Sequence, residues 1–221
     1  MIELVFVIVI VGILSLVISS SFERNTLREA ADQLVSHIRY TQHLAMVDNR
    51  FDSNDSDWYL GRWQIVFASN SGSDNKWAYT VFSDWKGNHD GNPNKATGTS
   101  RSELAYNPLD PSKYLTGGTS GTSIVHYDDV ESSKELNIGH KYGITNVVIS
   151  GGDTGSTAYR ILFDEIGRPY RGSTNSSAAS VINSHVDRLA TSRISVTLVQ
   201  NDQNITIGIE PETGYTHILP N

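Results

Sequence analysis

MIELVFVIVIVGILSLVISSSF, residues 1–22, carries a single charge, Glu3, and the rest of the chain is read outward from it. From Leu4 to Phe22 no Asp, Glu, Lys or Arg interrupts a run dominated by Val, Ile and Leu. At about 1.5 Å per residue, such a run is long enough to cross a bilayer core as a helix. A carboxylate in an apolar helix costs roughly 2.5–3.5 kcal/mol and is kept where a partner neutralises it. No Lys or Arg follows Glu3 before Arg24, so its expected partner is an amine at a chain start or a group on another molecule. A cleavable signal would show a basic leading segment and a small-residue cleavage site, and neither is visible.

From Glu23 the pattern changes. Leu27, Ala31, Leu34, Ile38 and Ala45 recur near helical spacing with Ala30 and Val35 beside them, while Arg24, Arg28, Glu29, Asp32 and Arg39 lie mostly elsewhere. Residues 23–48 therefore predict an amphipathic continuation of the helix. No Pro occurs in residues 1–48, which allows one helix about 70 Å long. His37 and His43 are six apart, not at the spacing of a helical metal pair, and are read as solvent-facing or sheet-capping.

Ile2-Glu3-Leu4-Val5, with Gly12 nine residues after the acid, resembles the N-terminal helix of type IV pilins and type II secretion pseudopilins, whose mature chains usually begin Phe-Thr-Leu-Ile-Glu. Two residues precede Glu3 where that family has four, so the family's methylated first residue has no counterpart, and Ser20 stands where many pilins carry a kinking Pro. Glu29–Asn49 is similar to the second half of that helix in pseudopilins of the GspH/FimT type. Phe163–Pro169 and the turn Pro211-Glu212-Thr213-Gly214 are similar to strand-and-turn features of the same head domains.

Residues 49–221 read as a β-rich head. Polar turn formers fill residues 50–57; strands are expected at Arg62–Phe67 and Lys76–Phe82, then at Ser123–Tyr127, Gly143–Ser150, Ala158–Asp164, Arg193–Gln200, Asn204–Ile209 and Tyr215–Leu219. Asp202-Gln203 is expected to make a tight connection. Residues 83–122 are mostly Gly, Asn, Asp, Pro, Ser and Thr and read as a polar surface insertion pinned by Trp85, Tyr106, Leu109 and Tyr114. The expected fold class is α+β: a long N-terminal helix, apolar in its first half and amphipathic in its second, packed on an antiparallel β-sheet head in the pilin-like manner.

The 221 residues contain no Cys, which excludes a stabilising disulfide and thiol catalysis, and the formal charge of -7 disfavours a general nucleic-acid surface. No nucleophile elbow, zinc-protease motif or phosphate-cradling glycine loop is present, so an enzyme is not expected. Asp52, Asn54, Asp55 and Asp57 form one cluster of hard oxygen donors, and Asn88, Asp90, Asn92 and Asn94 with Gly91 form another. Either could take calcium, although neither completes an EF-hand loop, and no cofactor is required.

Asn54, Asn175 and Asn204 begin Asn-x-Ser/Thr triplets, and Asn54 and Asn204 also have Asp two positions earlier, which resembles the extended acceptor of bacterial N-glycosylation. DNA-binding relatives of the FimT type carry a basic pair in the closing turn, where this chain has Gly214-Tyr215-Thr216-His217. Arg168 and Arg171 are the substitute nearby, and nucleic acid is not an expected partner.

The resemblance implies a subunit of a type IV pilus-like or pseudopilus filament, assembled as a helical homo-oligomer with Glu3 and Gly12 in the assembly helix. It also implies residence in the inner membrane before assembly, and export by a pilus or secretion machinery to an extracellular filament or periplasmic pseudopilus. A low-copy minor subunit that primes or tips a secretion or DNA-uptake filament is the alternative.

Overall fold

The computed structural model describes residues 2–21, 25–85, 89–95, 102–119, 124–153, 155–175, 178 and 180–220. Side chains of the first helix are described for residues 2–12.

The expected long helix is corrected. Helix α1, Ile2–Ser21, and helix α2, Thr26–Val47, are separate elements. Asn25 between them has non-helical dihedrals, φ -75° and ψ 78°, and its side chain accepts the Arg28 N–H at 2.9 Å. This is an N-cap: a short amide side chain satisfies one of the four orphan donors of a helix start and favours a non-helical backbone at its own position. The Glu29 N–H then makes its helical bond to the Asn25 carbonyl. Only about a quarter of the described residues is helical, and the sheets are antiparallel, so a head built around one continuous pilin-like helix is not what forms. Among the described residues no helix is long and apolar enough to cross a membrane.

Helix α2 forms as its periodicity requires. Leu27, Ala30, Ala31, Leu34, Val35, Ile38, Thr41 and Ala45 are its buried face. The helix ends on Asp48, whose N–H bonds the Leu44 carbonyl.

Two four-stranded antiparallel sheets receive that face. Strands β1 (Trp63–Ser69), β2 (Trp77–Ser83), β6 (Arg160–Phe163) and β7 (Pro169–Tyr170) form the first, in the order β2-β1-β6-β7. Strands β5 (Asn146–Gly151), β8 (Ile194–Gln200), β9 (Gln203–Ile209) and β10 (Thr216–Ile218) form the second, in the order β10-β9-β8-β5. Alternation decides which way β8 and β9 face. Ile194, Val196 and Leu198, with Ile205, Ile207 and Ile209, are buried, while Ser195 and Thr197 stand on the opposite side. They share one core with α2 and with Ile65, Phe67, Val81 and Ile161 of the first sheet. The β8–β9 loop is Asn201-Asp202, one residue earlier than expected, because Asn201 takes the left-handed conformation, φ 51°.

The polar insertion is less superficial than its composition predicts. Its strands β3 (Tyr106–Asn107) and β4 (Asp110–Tyr114) form a two-stranded ribbon. Leu104, Ala105, Tyr114 and Leu115 are buried, and the β2 edge is extended by bridges from Phe82 to Leu104 and from Thr80 to Thr116. Tyr106 and Leu109, expected as pins, face solvent instead. A few apolar residues in a polar stretch suffice when each one docks on an open sheet edge. The segment expected as a strand at 123–127 forms none among its described residues, and Val125 is buried there as irregular chain. Between it and β5 lies the short helix α3, Ile138–Tyr142, stopped by Gly143 at φ 69°.

Candidate functional site

The most unusual surface is α1. Leu4 to Val11 are eight successive apolar residues, all exposed. Since a helix turns once in 3.6 residues, eight positions cover every face, and none is sheltered by the chain's own core. Glu3 lies exposed in the first turn, where its charge suits the positive end of the helix dipole. A Cβ added at Gly12 would meet nothing within 4 Å. The monomer therefore offers no packing reason for a glycine there.

In the two acidic clusters, one oxygen each of Asp52, Asp55 and Asp90 is turned to local work. Asp52 Oδ1 accepts the N–H of Asn54, Asp55 Oδ1 that of Asp57, and Asp90 Oδ1 that of Asn92, at 2.9, 2.9 and 2.8 Å. These are Asx turns, the ordinary use of short acids in loops. Hydrogen bonds from the Asp57 N–H and from His89, with the His89 charge, hold the Asp55 carboxyl below the usual carboxylate range. Among the described residues no group of three His, Cys, Asp or Glu could hold a metal ion, and Asn88 lies outside them.

What joins the clusters is buried polar chain. Asp84 is fully buried and accepts the Gly91 N–H at 2.8 Å. Arg160, on β6, donates to Gln64 Oε1 at 2.9 Å, to the Gly91 carbonyl at 2.6 Å and to Thr174 Oγ1. Burial pushes this guanidinium down to about 10, against the opposing pull of Asp84 and Asp90. Burial likewise pushes the Asp84 carboxyl up to about 6, opposed by the Gly91 N–H. This network ties Asp84 and Gly91 to each other and Gly91 to β1 and β6 through Arg160 and Gln64.

The two arginines expected as a weak anion site are committed elsewhere. Arg168 Nε donates to buried Asp164 at 2.7 Å, and that carboxylate also takes the Arg168 N–H and the Tyr170 hydroxyl. Arg171 donates to the carbonyls of Ile149 at 2.7 Å, Gly151 at 2.9 Å and Ala158 at 3.2 Å. It thereby closes the outer edge of β5 and joins it to the strand entering β6. The Arg171 guanidinium is therefore turned inward, whereas Arg168 commits its Nε and keeps its side chain 34% exposed.

Of the glycosylation candidates, Asn54 is exposed in the turn after Asp52, whereas Asn204 is exposed on β9, paired with Val199. His37 caps the sheet, with Nδ1 at 2.8 Å from the Tyr79 hydroxyl, and His43 faces solvent. Sequence reasoning missed Gln33, Gln42, Asp84 and Arg160. The available signal was weak: polar residues next to the buried face of a helix, or within a strand otherwise apolar.

No protein-family model, curated protein or solved structure matches the chain.

Proposed function

We propose that this protein is a subunit of an extracellular filament of the type IV pilus or pseudopilus class, joined to its neighbours through α1. The observation that carries this is the exposure of Leu4 to Val11 on every face of α1, beside a head whose own core is complete without them. So much contiguous apolar surface is unfavourable in water, and neighbouring copies of the same helix can cover it. Before assembly the inner membrane shelters α1, and the same segment then passes from lipid to the filament interior. Glu3 acts in this transfer as a recognition group, seeking an amine on an adjacent subunit once both are out of water.

The test uses the full chain, solubilised in detergent and then freed of it. Filaments or sedimenting oligomers are expected, and residues 25–221 alone remain monomeric. Glu3→Ala keeps the folded head and loses ordered assembly. Assembly by residues 25–221, or a monodisperse full-length monomer without detergent, overturns the reading.

A further inference from the structure

Between the loop that follows α2 and the segment that follows β2 lies a cleft of about 250 Å³. Its apolar walls are Phe51, Trp58 and Trp85, and its polar groups include Asp52, Asp55 and His89. They come from loops and the 3-10 turn Trp58–Gly61 at one end of the first sheet, a rigid scaffold. We propose that this cleft binds a neutral saccharide, taking one hexopyranose ring of a glycan.

Size and charge select that ligand. Drug-sized sites occupy about 300–1,000 Å³, so the cleft suits a single small ring. An anionic ligand would face Asp52 and Asp55 at close quarters. A cationic ligand would lie against the Arg50 guanidinium, which also lines the cleft, and would find Asp55 already 3.3 Å from His89. A pyranose carries no charge, and it combines an apolar C–H face with hydroxyls that donate and accept.

The cleft supplies each counterpart. Phe51 is 60% exposed although it packs edge-on to Trp58, with ring centroids 5.1 Å apart, so a broad aromatic surface stays open to a sugar face. Asp52 spends Oδ1 on the Asn54 N–H and leaves Oδ2 for sugar hydroxyls. Trp85 adds part of a half-buried indole to the apolar wall. This inference does not rest on the filament reading, since every group involved belongs to the head.

The experiment titrates the full chain, in a zwitterionic detergent free of sugar, with methyl glycosides of glucose, galactose, mannose and N-acetylglucosamine. Tryptophan fluorescence and saturation-transfer NMR follow binding. Saturable binding of at least one glycoside in the millimolar range is expected, weakened about tenfold or more by Phe51→Ala and by Asp52→Asn. Both side chains are exposed, so both variants retain the wild-type circular dichroism spectrum. Failure of all four glycosides to saturate, or binding unchanged in both variants, overturns the proposal.

Discussion

His89 Nε2 lies 3.3 Å from Asp55 Oδ2, joining the loop after α2 to the segment after β2. The same ring places Nδ1 2.5 Å from the Asp84 carbonyl. Each ring nitrogen thus meets an oxygen, one on either side of the junction, and the buried Asp84 carboxyl belongs to the same residue as one of them.

Asp84 sets the first prediction. Its ordinary value of 3.8 is raised to about 6 by burial, so the folded state holds this proton more tightly than the unfolded chain. The stability it contributes is full below the unfolded value and is lost as pH rises through about 6. Such a difference corresponds to about 3 kcal/mol at most, with the opposing Gly91 N–H already included. Asp84→Asn mimics the protonated form. Urea unfolding should show the variant gaining on the wild type by about 1–3 kcal/mol between roughly pH 4 and pH 7. A difference that is flat with pH would show that Asp84 carries no such proton.

The second prediction concerns the polar seam between α2 and the first sheet. Gln33 Nε2 donates to the Tyr79 hydroxyl at 2.7 Å and to the Glu135 carbonyl at 3.0 Å, while Oε1 accepts the Tyr142 hydroxyl at 2.6 Å. Burial pushes the Tyr79 phenol well above the usual range, so it remains a neutral donor and acceptor. Gln33→Ala removes three bonds and strands partners that water reaches poorly. A loss of about 2–4 kcal/mol in chemical denaturation is expected.

His37 provides a third, with the opposite pH sign to Asp84. Burial lowers its proton affinity, against the pull of Glu135, so the unfolded chain takes up the proton first as pH falls. Stability is full above the ordinary value of 6.5 and declines as pH drops below it. His37→Gln retains a group able to meet the Tyr79 hydroxyl and cannot titrate. Its thermal midpoint should therefore depend less on pH between about 5 and 7 than that of the wild type, checked by calorimetry.

Residues with strong periodicity were legible. The buried face of α2, the strands around Ile65, Val81, Val196 and Ile207, and the end of α2 near Asp48 all follow from spacing alone. The break at Asn25 was not, because cap and helix interior differ in one side-chain hydrogen bond, while the flanking apolar pattern runs through both. The insertion was misjudged for a related reason: composition averages over forty residues, whereas Leu104 and Leu115 are carried to the core by a few backbone bonds between their segment and the β2 edge. Asp52, Asp55 and Asp90 read first as turn formers and second as ligands, and the position of each N–H shows the turns.

Gln42 carries a fourth prediction. Its Nε2 donates at 2.8 Å to each of the Gly167 and Thr213 carbonyls, tying two separate turns to α2. Both turns need glycine. Gly167 and Gly214 have φ of 87° and 64°, and a Cβ on Gly214 would stand 2.4 Å from both Gln42 Nε2 and the Gly167 carbonyl oxygen. Gln42→Ala should cost about 1–3 kcal/mol, more than a surface helix position usually does. Hydrogen exchange should accelerate at Gly167 and Gly214 ahead of β8 and β9. Equal protection in both regions would mean that the amide does not hold the turns.

Asn25 gives the sharpest contrast between the two helical arrangements. In a continuous helix, Asn25→Ala would replace a poor helix former by the best one and would stabilise the chain by a few tenths of a kcal/mol. In the structure, Asn25 stands at the boundary with its side chain on the Arg28 N–H at 2.9 Å, so the substitution removes the cap and should destabilise by about 1 kcal/mol. Asn25→Asp separates the cap from the amide chemistry, because Asp caps equally well and adds a charge favoured at a helix start. The expected order of thermal midpoints is therefore Asp at or above wild type and Ala below it. The measurement needs the full chain, because residues 25–221 carry no preceding helix for α2 to continue, and Ala above wild type would restore the single helix.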